Sequence, residues 1–184
     1  VREASGLPPI DTIRDPDRLA QIAAVVSGSS SSTVLAGLIH LAGRVAGADH
    51  AQLSLLADRQ FATAVRASDA SISEHVSPLE DSLCTVTVLS GDVLVAADTS
   101  MHPWLCDLPP VVEGAVGAYL GVPLLLPDGT SVGALCVYGP APREWSHRDV
   151  GLTCDVADVV SLELRRLAVG SRAELSPAHP TPTS

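Results

Sequence analysis

The chain has 184 residues, 46% of them hydrophobic and 17% charged, and 11 basic against 21 acidic side chains give a formal net charge of −10. That length suits a single domain with a sizeable core, and that charge repels phosphate backbones, which argues against a nucleic-acid partner. All basic residues are arginine and asparagine is absent, so lysine nucleophiles, Schiff-base and Walker lysines and N-glycosylation sequons are excluded, and the bias marks a GC-rich, bacterial source.

The segment Asp15-Pro16-Asp17-Arg18 combines an N-cap, a first-position proline and early acidity, and Leu19, Ile22, Val25 and Val26 follow at helical spacing. This predicts a first helix, ended by Ser27-Gly28 and the serines at 29–32. Val34, Leu35, Leu38, Leu41, Ala42 and Val45 restart the 3.6-residue period as far as Gly47. Alternating Ala51, Leu53 and Leu55, then Phe61, Thr63 and Val65 across Asp58-Arg59, predict a β-hairpin. Ser77-Pro78-Leu79-Glu80 has the form of a capping box, and Gly91 suits a left-handed helix end, so a helix capped by Ser77 is expected between them. Residues 93–97 read as a short strand stopped by Asp98, and 102–110 hold too many prolines for regular structure. The apolar runs at 119–126 and 131–138 flank the turn Pro127-Asp128-Gly129-Thr130 and should pair antiparallel. Ser146-x-x-Asp149 opens a last helix with Val156, Val160, Leu164 and Leu167 on one stripe. The order predicts an α+β fold in three parts: an N-terminal helix with a Ser-rich linker (1–32), the domain proper (33–168), and a Pro/Ser/Thr-rich flexible tail (169–184).

No apolar run reaches the roughly 18–20 residues of a membrane helix, and residues 1–11 carry acids and prolines where a leader has a basic start and an apolar stretch. A cytoplasmic protein without a membrane partner is expected. Cys84, Cys106, Cys136 and Cys154 are spaced 22, 30 and 18 apart with no C-x-x-C, which suggests neither a zinc site nor a secreted disulfide framework.

Several local texts over roughly 33–168 resemble the GAF family of small-molecule sensory domains. Asp81-Ser82-Leu83-Cys84 is similar to the Ser-Phe-Cys segment of bacterial members, with Leu83 in place of the aromatic residue. Val93-Leu94-Val95-Ala96-Ala97-Asp98 followed by His102-Pro103-Trp104 resembles the strand and short helix that come next. Tyr119-Leu120-Gly121-Val122-Pro123-Leu124, the Asp128-Gly129 turn and Gly133-Ala134-Leu135-Cys136-Val137 resemble the paired central strands. The resemblance implies a central antiparallel sheet, terminal helices on one face, a ligand pocket on the other under residues 77–116, and a homodimer through the terminal helices.

Within that family, the cyclic-nucleotide members' Asn-Lys-x-Phe-Asp-Glu text is impossible here, and the bilin-binding members' Cys-His is replaced by Cys106-Asp107. His75 or His102 could offer a haem ligand, though loop histidines are commonly solvated; no cofactor and no metal are expected. Free methionine-(R)-sulfoxide reductases resemble the chain in the placement of Cys84 and Cys106, a thiol pair able to attack and resolve, but Cys136-Val137-Tyr138 stands where their carboxylates hold the substrate. The leading expectation is a non-catalytic sensory domain that binds an unidentified small molecule or mediates dimerisation. Its pocket is expected at Leu83, Cys84, Leu94, Asp98, His102, Trp104, Tyr119 and Cys136, with Val137 nearby and no arginine to favour a highly anionic ligand. The plainer alternatives are that Asp98 caps the turn that follows it, Trp104 anchors its loop, and the cysteines fill the core as small apolar residues. Leu83 and Val86 beside Cys84 argue for burial that raises its pKa and leaves the thiols reduced.

Overall fold

The computed structural model describes residues 6–29 and 32–174. Among them, the strands β1 (His50–Leu56), β2 (Gln60–Arg66), β3 (Ile72–Ser77), β4 (Leu94–Ala96), β5 (Ala118–Leu125) and β6 (Ser131–Gly139) form one sheet. Its order is β3-β2-β1-β6-β5-β4, and every neighbouring pair is antiparallel. The helices α1 (Pro16–Ser29), α2 (Thr33–Val45) and α5 (His147–Glu174) cover one face, and the shorter α3 (Leu83–Ser90) and α4 (Pro109–Val112) lie on the other.

The alternation expected for the hairpin and the central strands sorts these two faces. Leu53 and Leu55 of β1, Leu120, Val122 and Leu124 of β5, and Leu135 and Val137 of β6 join Ile22, Val25, Ile39, Val160 and Leu164 of the three long helices in one buried core. The residues between them, including Tyr119, Ala134 and Cys136, pack with Leu83, Cys84, Val86 and Leu105 in a second cluster.

Two sequence-based expectations change here. Val156, Val160 and Leu164 are buried against this same core, as is Ile22, so α1 and α5 cover each other's stripes within one chain. These buried stripes are therefore not free to form the homodimer expected through the terminal helices. The helix after β3 also starts later than Ser77. That serine ends β3, paired with Gln60, and residues 79–81 form a single 3-10 turn. Ser82 is the N-cap, its Oγ accepting from the backbone N–H of Cys84 (3.1 Å) and of Thr85 (3.3 Å). Gly91 ends the helix with φ 69°, as expected. The edge strand β3 has no counterpart in the sequence reading, because nearly all its residues are exposed and it has no buried face to pattern.

Arginines fasten the helical layer. Arg143 donates to the carbonyl oxygens of Ala46 and Gly47 at the end of α2, where the helix dipole favours a cation, and contacts Asp149 of α5 (3.4 Å) while stacking 4.2 Å above the Trp145 ring. Ser146 and Asp149 cap α5 reciprocally, Asp149 N–H to Ser146 Oγ (3.1 Å) and Ser146 N–H to Asp149 Oδ2 (2.9 Å). Arg18 donates to the carbonyls of Ile13 (2.6 Å) and Ser131 (2.9 Å), and burial lowers its pKa to about 10. The serines at 30–31 of the expected linker and residues 175–184 of the expected tail lie outside the described residues, while α5 continues to Glu174.

Urea unfolding checks both the cap and the core. Ser82→Ala is expected to cost about 1 kcal/mol and Ser77→Ala clearly less; equal losses would restore Ser77 as the cap. Leu164→Ala is expected to cost about 2–5 kcal/mol through the cavity it leaves.

Candidate functional site

A cavity of about 280 Å³ lies on the face of the sheet opposite the three long helices, between the strands and the α3 and α4 segments. Its lining includes Gln52, Gln60, His75, Ser77, Asp81, Ser82, Leu83, Cys84, Glu113, Tyr119, Cys136 and Tyr138. Each central strand contributes its alternate residues: Gln52 of β1 faces Cys136 of β6 across the ladder, Cys136 faces Gly121 of β5, and Tyr119 faces Tyr138. A larger groove of about 520 Å³ lies between α2 and the β2–β3 edge, but its walls are mostly aliphatic, from Leu35, Ile39, Leu53, Leu55 and Val76. The smaller cavity is the better candidate because buried polar groups converge on it.

These groups form a connected network. Ser54 Oγ accepts from Gln52 Nε2 (2.8 Å) and from Gln60 Nε2 (3.0 Å), and Gln60 Oε1 accepts from Ser77 Oγ (3.4 Å). The Cys84 and Cys136 sulfurs are 3.5 Å apart. The Tyr119 hydroxyl, wholly buried, lies 3.5 Å from Cys84 Sγ and 2.8 Å from Thr87 Oγ1, which in turn donates to the Leu83 carbonyl (3.2 Å). Gly121 makes this possible: a Cβ there would collide with the Tyr119 hydroxyl and with Thr87 Oγ1. The network sets the thiols apart electrostatically. The hydrogen bond shared with Cys136 pulls the Cys84 pKa below the ordinary thiol range against the opposing effect of burial, with Ser54, Tyr119 and Gln52 adding to it. The same pairing and burial push the Cys136 thiol up, and burial pushes Tyr119 up. The expectation of a raised Cys84 pKa is thus corrected, since burial came with hydrogen-bond donors that the flanking residues do not reveal.

Of the expected pocket residues, Leu83, Cys84, Tyr119 and Cys136 line the cavity, and Leu94, Asp98, His102 and Trp104 do not. Leu94 lies in β4, at the sheet edge beyond β5. The segment after β4 is fixed to the start of β5, with Thr99 N–H donating to the Gly117 carbonyl (2.9 Å) and Thr99 Oγ1 to that of Val116 (2.6 Å). Asp98 caps the turn at 99–101 by accepting from Ser100 N (3.0 Å) and Oγ (2.6 Å). Trp104 packs on the second cluster and meets His102 edge to face at 5.7 Å; burial lowers the His102 pKa. Val137 points into the opposite core.

Cys84 is paired with Cys136, and Cys106 is not among the lining residues, so the pair expected from the reductase resemblance is not the one brought together. The sequence reading missed Gln52, Gln60, Asp81, Glu113 and Tyr138. Gln52 and Gln60 carried a legible signal as polar residues on the inward alternation of two apolar strands. Asp81 and Glu113 lie on connections whose course the strands do not dictate. Among the described residues, no cluster of three or more His, Cys, Asp or Glu could hold a metal ion, and no helix is long and apolar enough to cross a membrane.

A family model for the GAF domain matches residues 31–164. A cyclic di-GMP phosphodiesterase of Pseudomonas aeruginosa is 32% identical over 93 residues, 50% of this chain; the chain spans only 16% of that curated relative's length. Among solved structures, the GAF domain of an Acinetobacter phosphoenolpyruvate-protein phosphotransferase aligns with a TM-score of 0.59 at 18% identity, covering 89% of this chain and 96% of that one. The blue-light absorbing form of the Thermosynechococcus elongatus PixJ GAF domain gives 0.57 at 19% identity, covering 86% and 92%. A type II free methionine-R-sulfoxide reductase from Thermoplasma acidophilum gives 0.56 at 15% identity, covering 78% and 96%. At such identities the structures share the fold, and the same fold carries both signalling domains and an enzyme. With the family model matched from α2 through most of α5, and this sheet and helix arrangement shared with solved GAF domains, the chain belongs to the GAF domain family.

Proposed function

We propose that this GAF domain is a non-catalytic sensory or regulatory module of a cytoplasmic bacterial signalling protein, and that it takes a small uncharged or cationic molecule into the cavity beneath α3 and α4. The lining carries the reading. Two glutamines, Ser77, Ser82 and the carboxylates of Asp81 and Glu113 stand beside apolar residues such as Leu83 and Val116, and no arginine is among them. Such a site offers hydrogen bonds to neutral groups and attraction to a cation, and it disfavours a polyphosphate. Native mass spectrometry with an absorption spectrum of the purified protein tests this. A retained neutral or cationic metabolite without visible absorption is expected, and a retained nucleotide or polyphosphate would overturn the reading.

The module also acts as a homodimer, through a surface other than the stripes first considered. Val159, Leu162 and Val169 are exposed at helical spacing on α5, and Val34 and Leu41 are exposed on α2, which packs beside it. Light scattering at micromolar concentration is expected to report a dimer, and the double substitution Leu162→Glu with Val169→Glu a folded monomer; a monomeric parent protein would reject the assembly.

The reductase likeness defines the competing reading. Free methionine sulfoxide with a thiol reductant is expected to give no turnover, since Cys84 is paired with Cys136 in place of Cys106 and β6 itself carries no Asp or Glu. Turnover abolished by Cys106→Ser would move catalysis by Cys84 and Cys106 into first place.

A further inference from the structure

Cys84 and Cys136 come from elements 52 residues apart in sequence, the first turn of α3 and the middle of the central strand β6, yet their sulfurs are 3.5 Å apart. A disulfide needs about 2.05 Å, so a further approach of about 1.5 Å would join them. Both thiols are free and line the cavity. Both are also nearly closed to bulk solvent, at 2% and 1% exposure, so the cavity is the route by which a reagent reaches them. A space of about 280 Å³ holds several water-sized molecules; hydrogen peroxide enters such a space, and a bulky peptide disulfide does not.

We propose that Cys84 and Cys136 form a peroxide-responsive dithiol site, in which oxidation closes a disulfide that ties α3 to the central strand of the sheet. The Cys84 thiolate attacks one peroxide oxygen. An S–O bond forms, the O–O bond breaks, and the leaving hydroxide takes up a proton to give water. Cys84 is then a sulfenic acid. The Cys136 sulfur attacks Cys84 Sγ, the S–O bond breaks, and a second water departs with the Cys136 proton. In sum, two thiols and one hydrogen peroxide give one disulfide and two waters, the two sulfurs losing the two electrons that the O–O bond gains. Cys84 is the attacking sulfur because it sits at the second position of α3, accepts the Tyr119 hydroxyl's hydrogen bond (3.5 Å) and is the thiol whose ionised form is favoured. Cys136, in mid-strand with its proton held more tightly, resolves the intermediate. Cys154 stands on α5 in the opposite layer, and Cys106 has no hydrogen bond to either sulfur. The inference does not depend on the ligand proposed above, since peroxide needs only the cavity and the two sulfurs.

Cleavage before aspartate places each cysteine in its own peptide, 81–91, 98–106, 128–148 and 149–154, so the pairing reads directly from mass. The purified full chain is treated with hydrogen peroxide, alkylated with N-ethylmaleimide, digested without reductant and weighed. The expected product is peptide 81–91 joined to 128–148, two hydrogens lighter than the separate thiol peptides, while Cys106 and Cys154 remain alkylated; a dithiol reductant restores both peptides. In Cys136→Ser, dimedone is expected to label Cys84 as the trapped sulfenic acid. Cys84 and Cys136 still alkylable, after unfolding, at a peroxide dose that oxidises the more exposed Cys106 would overturn the proposal. So would a Cys84 disulfide to Cys106, and both results come from the parent protein, whatever the substitutions do to its stability.

Discussion

The pleat of the central strands is the constraint on which the rest of the structure depends. Successive residues of β1, β5 and β6 must face opposite sides, and the chain uses that rule to give the two sides different chemistry. Leu53, Leu120, Leu135 and Val137 face the long helices and join a mainly aliphatic core. Their neighbours Gln52, Tyr119 and Cys136 face the cavity. A one-residue slip in register would exchange the two sets and bury the glutamine and the tyrosine hydroxyl among leucines, so the division itself fixes the register.

The polar side chains Ser54, Gln52, Gln60, Thr87 and Tyr119 of the cavity face satisfy one another. A buried hydroxyl without a partner costs about 1–3 kcal/mol, and Tyr119 avoids this by reaching Thr87 and Cys84 on α3. That reach needs the empty space above Gly121, two residues along on the same face. Ser54 similarly receives both glutamines. α3 is thus held to the sheet by packing and by hydrogen bonds that end on two thiols.

The helical layer has the opposite character. α1, α2 and α5 are joined by continuous aliphatic packing and by Arg143, which links the end of α2 to the start of α5. The larger aliphatic cluster is on that side of the sheet, and the buried polar groups converge on the cavity of the other side. The division explains how a chain of this composition supports a site without weakening its core, and it is in keeping with a fold shared by proteins of different function.

The sequence by itself determined the elements whose signals are local or periodic. These are the proline-led start of α1, the period of α2, the β1–β2 hairpin, the paired strands around the Asp128-Gly129 turn, the Ser146–Asp149 cap and the Gly91 helix end, together with the family. It also placed Leu83, Cys84, Tyr119 and Cys136 at the cavity, since these sit on well-patterned elements and in texts the family shares. What only the tertiary structure decided depended on competition or on distance along the chain. Ser77 and Ser82 are both good caps, and strand pairing with Gln60 took Ser77. β3 has no buried face and therefore no pattern. The place of Asp98, His102 and Trp104 in the sequence points to the cavity, but hydrogen bonds from Thr99 to the start of β5 hold that segment elsewhere. The pairing of Cys84 with Cys136 was beyond the sequence for the same reason: spacing along a chain says nothing of which strand lies beneath a helix, and only the sheet order, with β6 between β1 and β5, brings those two sulfurs together.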